Sequence, residues 1–152
     1  VIMNFLESGI PFAHMSFLVQ KEVGERIAGK PGTKAYGSLS VAAQYYANVA
    51  QEFTVPATVF VPKPKVDTAV ITLSPRSMTD FEHSIDRKNF LTVVRAAFGN
   101  RRKTLLNSLF MNTRIDKETL SIVLTSCGID PGVRAEKLSS EDFAKIADAL
   151  YK

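Results

Sequence analysis

Phe60-Val-Pro-Lys-Pro-Lys-Val-Asp67, followed by the apolar run Thr68-Ala-Val-Ile-Thr-Leu73, decides how the first half of this chain folds. Pro62 and Pro64 fix their own φ angles and drive Val61 and Lys63 towards extended backbone. The segment is therefore a stiff connection between two strands, Gln51–Val55 and Ala69–Leu73, which can pair antiparallel. It holds Phe60, Lys63 and Lys65 with little conformational freedom. A ring beside two cations suits stacking on a base next to a phosphate. The plainer reading is a strand connection whose Phe60 plugs the core and whose Lys65 is a strand-edge lysine. Asp67 is expected to fix the loop by accepting backbone N–H bonds, as in an Asx turn.

Upstream of the loop, helix and strand signals alternate. Val1–Ser8 reads as a helix end closed by Gly9 and Pro11, and His14–Val19 as a short buried strand. Lys21–Ile27 predicts a short helix, with Lys21/Glu25 and Glu22/Arg26 at ion-pair spacing. Lys30, Lys34 and Tyr36 fall in a Gly/Pro-rich break, where Tyr36 could stack on a nucleotide or anchor the loop, the anchor being favoured, and the lysines are candidate phosphate contacts. Leu39–Ala50 predicts a helix capped by Ser38 or Ser40, with Val41, Tyr45 and Val49 on one face. Ser74–Asp80 reads as a linker.

After the linker no strand signal remains. Phe90, Val94, Ala97 and Phe98 mark one amphipathic helix, broken by Gly99-Asn100. Leu105, Leu106, Leu109 and Phe110 begin a second stripe, and Leu120, Val123, Leu124 and Cys127 a third, stopped by Gly128. Ser139-Ser-Glu-Asp142 has capping-box form ahead of Phe143, Ile146, Ala147 and Leu150. The pattern gives an α/β part over residues 1–76 and a small all-α domain over 77–152.

At 152 residues and 45% apolar content the chain can bury a packed core. No apolar run approaches the roughly 20 residues that span a bilayer, so a membrane role is not expected. The single Cys127 excludes an internal disulfide and reads as a small core residue. His14 and His83 are isolated, with no zinc spacing and no catalytic partner. The net charge is only +4, but it is unevenly placed. Between Asp86 and Asp116 stand Arg87, Lys88, Arg95, Arg101, Arg102, Lys103 and Arg114, with no acid among them. A solvated face usually mixes signs, so this block points to a polyanion. Arg101-Arg-Lys103 at a helix start opposes the macrodipole, a conflict that a bound phosphate at that helix N-terminus would resolve.

Phe53-Thr-Val-Pro56 with Phe60-x-Pro-x-Pro-Lys-Val-Asp-Thr-Ala-Val70 resembles the ribosomal RNA adenine dimethyltransferases of the KsgA type. Their pattern reads F-x-P-x-P-K-V-D-S-A-V, and Thr68 departs from it. Gln20-Lys-Glu-Val-Gly-Glu-Arg-Ile27, Lys30-Pro-Gly-Thr-Lys-Ala-Tyr-Gly-Ser-Leu-Ser-Val41, Arg95-Ala-Ala-Phe-Gly-Asn-Arg-Arg-Lys-Thr-Leu-Leu-Asn-Ser-Leu109 and Gly128–Phe143 carry the same resemblance, in order, over nearly the whole chain.

The resemblance implies the second half of a Rossmann-like methyltransferase sheet, whose last strand is antiparallel, followed by a helical RNA-binding domain. It implies transfer of methyl groups from S-adenosylmethionine to adenines near the 3′ end of small-subunit rRNA. It makes Phe60 the ring that stacks on the extruded adenine. Lys30, Lys34, Lys63, Lys65, Arg95, Arg101, Arg102 and Lys103 become the RNA contacts. The partner implied is the 30S-type ribosomal subunit, met by a cytoplasmic monomer. The family's donor-site motifs are a Gly-rich turn, an acidic residue after the second strand and an Asn-Leu-Pro-Tyr run, and none is in this sequence. Val1-Ile-Met-Asn-Phe-Leu6 reads as mid-helix. The expectation is a C-terminal fragment that binds no donor and is inactive alone, with a naturally small protein as the alternative. A macrolide-resistance-type enzyme acting on large-subunit rRNA and a non-catalytic ribosome-assembly module stay open as other functions.

Overall fold

The computed structural model describes residues 1–8, 10–76 and 86–152. It divides into two compact units, Val1–Lys30 with Lys34–Met78, and Pro31–Thr33 with Thr79–Lys152. Gly9 and most of the expected linker lie outside the described residues.

The first unit sets three helices on one face of a sheet. The helices are α1 (Ile2–Glu7), α2 (Lys21–Ile27) and α3 (Ser38–Tyr46), and the strands β1 (Met15–Gln20), β2 (Ala47–Val55) and β3 (Thr68–Pro75). The strand order is β1-β3-β2, with β3 antiparallel to both neighbours. β1 and β2 therefore run parallel to each other, and their C-terminal residues Gln20 and Val55 both pair with Thr68.

The inward residues of the sheet make the core. Ile71 and Leu73 pack with Leu6, Ile27, Ala43 and Ala47, and Phe17, Val19 and Val49 close around them. Fully burying a side chain such as Leu6, Ile27, Ile71 or Leu73 is worth ~1.5–3 kcal/mol, and an alanine less. Gly24 sets how closely α2 approaches the sheet, because a Cβ there would stand 3.1 Å from the Ala69 Cβ. A bulge between Gln51 and Phe53 turns Phe53 onto the face away from the helices. There it stands in one row with Val70 and Leu18, and both Phe53 and Leu18 are more than half exposed.

Several expectations change here. β1 is not a buried strand: its burial alternates, because helices cover only one face. α3 stops at Tyr46 and β2 begins at Ala47, so the helix expected to Ala50 yields to strand pairing of Ala47–Ala50 with β3. The cap of α3 is Gly37 rather than Ser38 or Ser40. The Ser40 hydroxyl accepts from Gly37 N–H and donates to the Arg26 carbonyl, tying α3 to the end of α2. β3 runs to Pro75, and Arg76 is held by N–H···O to Tyr46 and by its guanidinium to the Gln44 carbonyl. The segment expected to be linker from Ser74 is thus structured through Arg76.

The second unit contains α4 (Arg87–Phe98), α5 (Leu105–Asn112), α6 (Lys117–Ser126) and α7 (Ser140–Tyr151). Phe90, Val93, Val94, Leu105, Leu109, Leu120, Leu124, Phe143 and Ile146 are fully buried in it. Asp86, Thr104, Asp116 and Ser139 cap the four helices. The Ser139–Asp142 capping box forms as its spacing predicts. Gly128, at φ +73°, ends α6: its N–H meets the Thr125 carbonyl and the Ile129 N–H the Leu124 carbonyl, a Schellman closure.

Candidate nucleic-acid interface

In the first unit Phe60, Lys63 and Lys65 lie on the loop that follows the end of β2, next to the end of β1, the side of an open α/β sheet at which ligands bind. β2 passes through Pro56 into a 3₁₀ turn at Ala57–Val59, and Phe60 follows it. Asp67 closes this loop. Its Oδ1 accepts from Ala57 N–H at 2.9 Å, and its carbonyl accepts from Lys21 N–H at 3.0 Å. Asp67 thus fixes the loop by accepting a backbone N–H as expected, from ten residues back rather than in a local Asx turn, and its main-chain carbonyl also holds the start of α2. The Val61–Pro62 peptide bond is cis.

Phe60 is half-buried on this loop, and Lys63 and Lys65 are exposed. Val59 and Val61 are 64% and 100% exposed, so the loop presents apolar and cationic surface together. Lys30 and Lys34 are exposed too, but elsewhere. α2 begins beside Asp67 and runs seven residues, about 10 Å, away from the loop before Lys30 is reached. The two lysine pairs do not form one site. Tyr36, 1% exposed, is the expected loop anchor. Glu22 and Arg26 pair at 2.6 Å on the exposed side of α2.

In the second unit Arg95 lies in the last turn of α4, where a cation meets the negative helix end favourably. Arg101, Arg102 and Lys103 are exposed in the turn between α4 and α5. They precede the Thr104 cap and are not in the first helical turn. The expected open N-terminus is absent as well. Leu105 N–H donates to the Val133 carbonyl at 2.7 Å, Leu106 N–H to Pro131 at 3.2 Å, and Asn107 N–H to Thr104 Oγ1 at 3.4 Å. The first three N–H groups of α5 are thus committed within the unit.

What holds this turn is Ser108, fully buried on the apolar face of α5. Its hydroxyl donates to the Ala96 carbonyl at 2.9 Å and accepts from Asn100 N–H at 3.2 Å. Asn112 adds a bond to Ala96 O at 3.3 Å and one to Ser108 O at 2.8 Å. Sequence reading missed both residues. The available signal was a serine between Leu105 and Leu109, on a face that otherwise takes only apolar side chains.

Two titrating groups are displaced. The Thr119 backbone N–H, with its hydroxyl, holds the Asp116 carboxyl below its ordinary 3.8. Burial raises the Cys127 thiol above 9.0, in keeping with an inert packing residue. Among the described residues no group of three or more His, Cys, Asp or Glu could hold a metal. No described helix is long and apolar enough to cross a membrane.

Fold and loop together define a class: the closing strands of a Rossmann-like methyltransferase sheet, joined in sequence to a small helical unit. A dimethyladenosine transferase from Plasmodium falciparum has this fold, with TM-score 0.76 and 24% identity over 95% of this chain and 59% of that one. The 23S rRNA methyltransferase ErmE matches with TM-score 0.66 and 18% identity over 99% of this chain and 60% of that one. The family described as ribosomal RNA adenine dimethylase matches residues 1–152, and the chain belongs to it. Proteins named ribosomal RNA small subunit methyltransferase A are 50% identical in Bacillus cytotoxicus and 46% identical in Shouchella clausii, each over 99% of this chain. The chain spans about half the length of these curated relatives, 52% and 51%.

Proposed function

We propose that this chain is the RNA-facing half of an S-adenosylmethionine-dependent enzyme. That enzyme dimethylates adenines near the 3′ end of small-subunit rRNA during ribosome biogenesis, as a cytoplasmic monomer. The observation that carries the reading is Phe60, half-exposed at the strand ends on the same loop as the exposed Lys63 and Lys65, a loop closed by the Asp67 clamp on Ala57. An adenine amine is a weak nucleophile because its lone pair is delocalised into the ring. Catalysis must draw the base out of its stack and hold the amine in line with the reacting methyl. Phe60 supplies a face on which the extruded base stacks. Lys63 and Lys65 meet the flanking phosphates, Lys30 and Lys34 a more distant stretch of backbone. Residues 1–76 are then the end of the catalytic domain, and 77–152 grip RNA backbone through Arg95, Arg101, Arg102 and Lys103.

The methyl donor does not fit the residues present. The acids near the strand ends are already engaged, Asp67 by Ala57 N–H and Glu22 by Arg26. No G-x-G turn exists in the sequence to approach a nucleotide closely. This supports the reading that the chain by itself neither binds S-adenosylmethionine nor transfers methyl. The same observation favours a second reading, a non-catalytic RNA-binding module.

A chimera separates the two. The N-terminal half of the Bacillus cytotoxicus relative, fused ahead of Val1, is assayed for methyl incorporation into 30S subunits. The chimera should methylate, the 152-residue chain alone should not, and Phe60→Ala should weaken capture of the base by roughly 5- to 150-fold. Asp67→Ala should lose part of the same activity and Asp67→Asn, which keeps an acceptor for Ala57, should restore it. Turnover by the chain alone would overturn the donor-less reading. RNA binding indifferent to Phe60, with no methylation by a folded chimera, would leave the binding module.

A further inference from the structure

At the far end of α5 from the basic turn, the helical unit carries a groove of about 530 Å³. It is lined by Thr92 of α4, Met111 and Asn112 of α5, the Thr113–Ile115 loop and Tyr151 at the end of α7. The volume falls within the ~300–1,000 Å³ of small-ligand sites. Its walls are apolar but not buried: Met111 is 58% exposed and Tyr151 42%. A thioether and a phenol ring flanking a concavity offer soft, flat surface to a planar group.

The exposed cations Lys88, Arg95 and Arg114 stand around the groove, and the two acids near it, Asp116 and Asp148, are each hydrogen-bonded or paired. Arg114 on its rim is exposed, and among the described residues no ion pair engages it. Lys88 and Arg95 lie four residues before and three after Thr92, on the same exposed stripe of α4. The nearest acid in sequence, Asp116, is committed to Thr119, and Asp148 near Tyr151 is paired with Lys152 at 3.1 Å. Both amide protons of Asn112 go to main-chain carbonyls, so Asn112 can offer only its carbonyl oxygen, an acceptor.

We propose that this groove binds one unpaired nucleotide of the RNA, its base against Tyr151 and Met111 and its phosphate on Arg114. The proposal rests on the reading of the helical unit as RNA-facing and adds a second, separate contact. α5 is eight residues long, so the groove and the Arg101–Lys103 turn lie about 12 Å apart along it. One RNA can occupy both, the turn holding backbone and the groove a splayed base. An acidic peptide would satisfy Arg114 but gain little from a ring and a thioether facing one cavity.

The test uses the 152-residue chain and a fluorescent single-stranded RNA of about twelve nucleotides carrying 4-thiouridine, within the site sizes of single-strand binders. Tyr151→Ala should weaken binding roughly 5- to 150-fold with the salt slope unchanged, and Tyr151→Phe should keep wild-type affinity. Arg114→Gln should reduce the salt slope by about 0.7. Photocrosslinks should map to Met111 or Tyr151. Suppose Tyr151→Ala and Arg114→Gln bind like wild type while neutralising Arg101, Arg102 and Lys103 abolishes binding. The groove proposal then fails and the RNA reading stands. If neutralising the turn also changes nothing, both fail. Protection of the groove by a glutamate-rich peptide, with RNA still bound, would assign it to a protein partner and overturn the proposal.

Discussion

Ser108→Ala tests whether the turn that carries Arg101, Arg102 and Lys103 is held by one buried hydroxyl. The substitution removes a single oxygen at a site with no exposure, so the void is small. It also removes the 2.9 Å bond to Ala96 O and the 3.2 Å bond from Asn100 N–H. Ala96 O keeps other donors, Asn112 Nδ2 at 3.3 Å and Gly99 N–H at 3.3 Å. Asn100 N–H loses its partner, and a part-buried donor left unsatisfied costs ~1–3 kcal/mol. A central value of about 2 kcal/mol follows, equivalent to roughly 8–16 °C in Tm for a unit of this size. Ser126→Ala is the control: that hydroxyl donates to Val123 O at 2.8 Å on an exposed helix end and should cost less than ~0.5 kcal/mol. Urea unfolding followed by circular dichroism should give a lower midpoint for Ser108→Ala at an unchanged m value. Equal midpoints for the two variants would refute the reasoning. Loss of stability without any fall in RNA affinity would show that the turn does not depend on Ser108 for its function.

Gly24→Ala sets a helix preference of ~1 kcal/mol against a Cβ placed 3.1 Å from Ala69 Cβ and 3.3 Å from Ile71 Cγ2. Overpacking of ~1–3 kcal/mol should win, giving a net loss of about 1 kcal/mol in chemical denaturation, and a stabilised variant would show that α2 can lift off the sheet. Asp116 has a folded pKa below 3.8, so its stabilising contribution is present above that value and is lost as pH falls through the folded pKa. The Tm gap between the wild type and Asp116→Ala should therefore be constant near neutrality and close under acid, and a gap independent of pH would remove the charge from the cap.

The helical unit was legible because its signals are local. Capping at Ser139–Asp142, the Gly128 stop and the periodic apolar faces each lie within a few residues, and all four helices formed where those signals stand. The loop from Phe60 to Asp67 was legible for the same reason, since proline restricts its own neighbours. Where the readings failed, a distant partner decided. Ala47–Ala50 reads as helix until β3 offers it a ladder. Asp67 chose Ala57 over a local turn, and the first N–H groups of α5 were claimed by Pro131 and Val133. Sequence by itself determined the family, the order of elements and the run of single-sign charge. Only the tertiary structure decided which donors were left open to a ligand, because a backbone N–H is satisfied by whichever acceptor folding brings within reach.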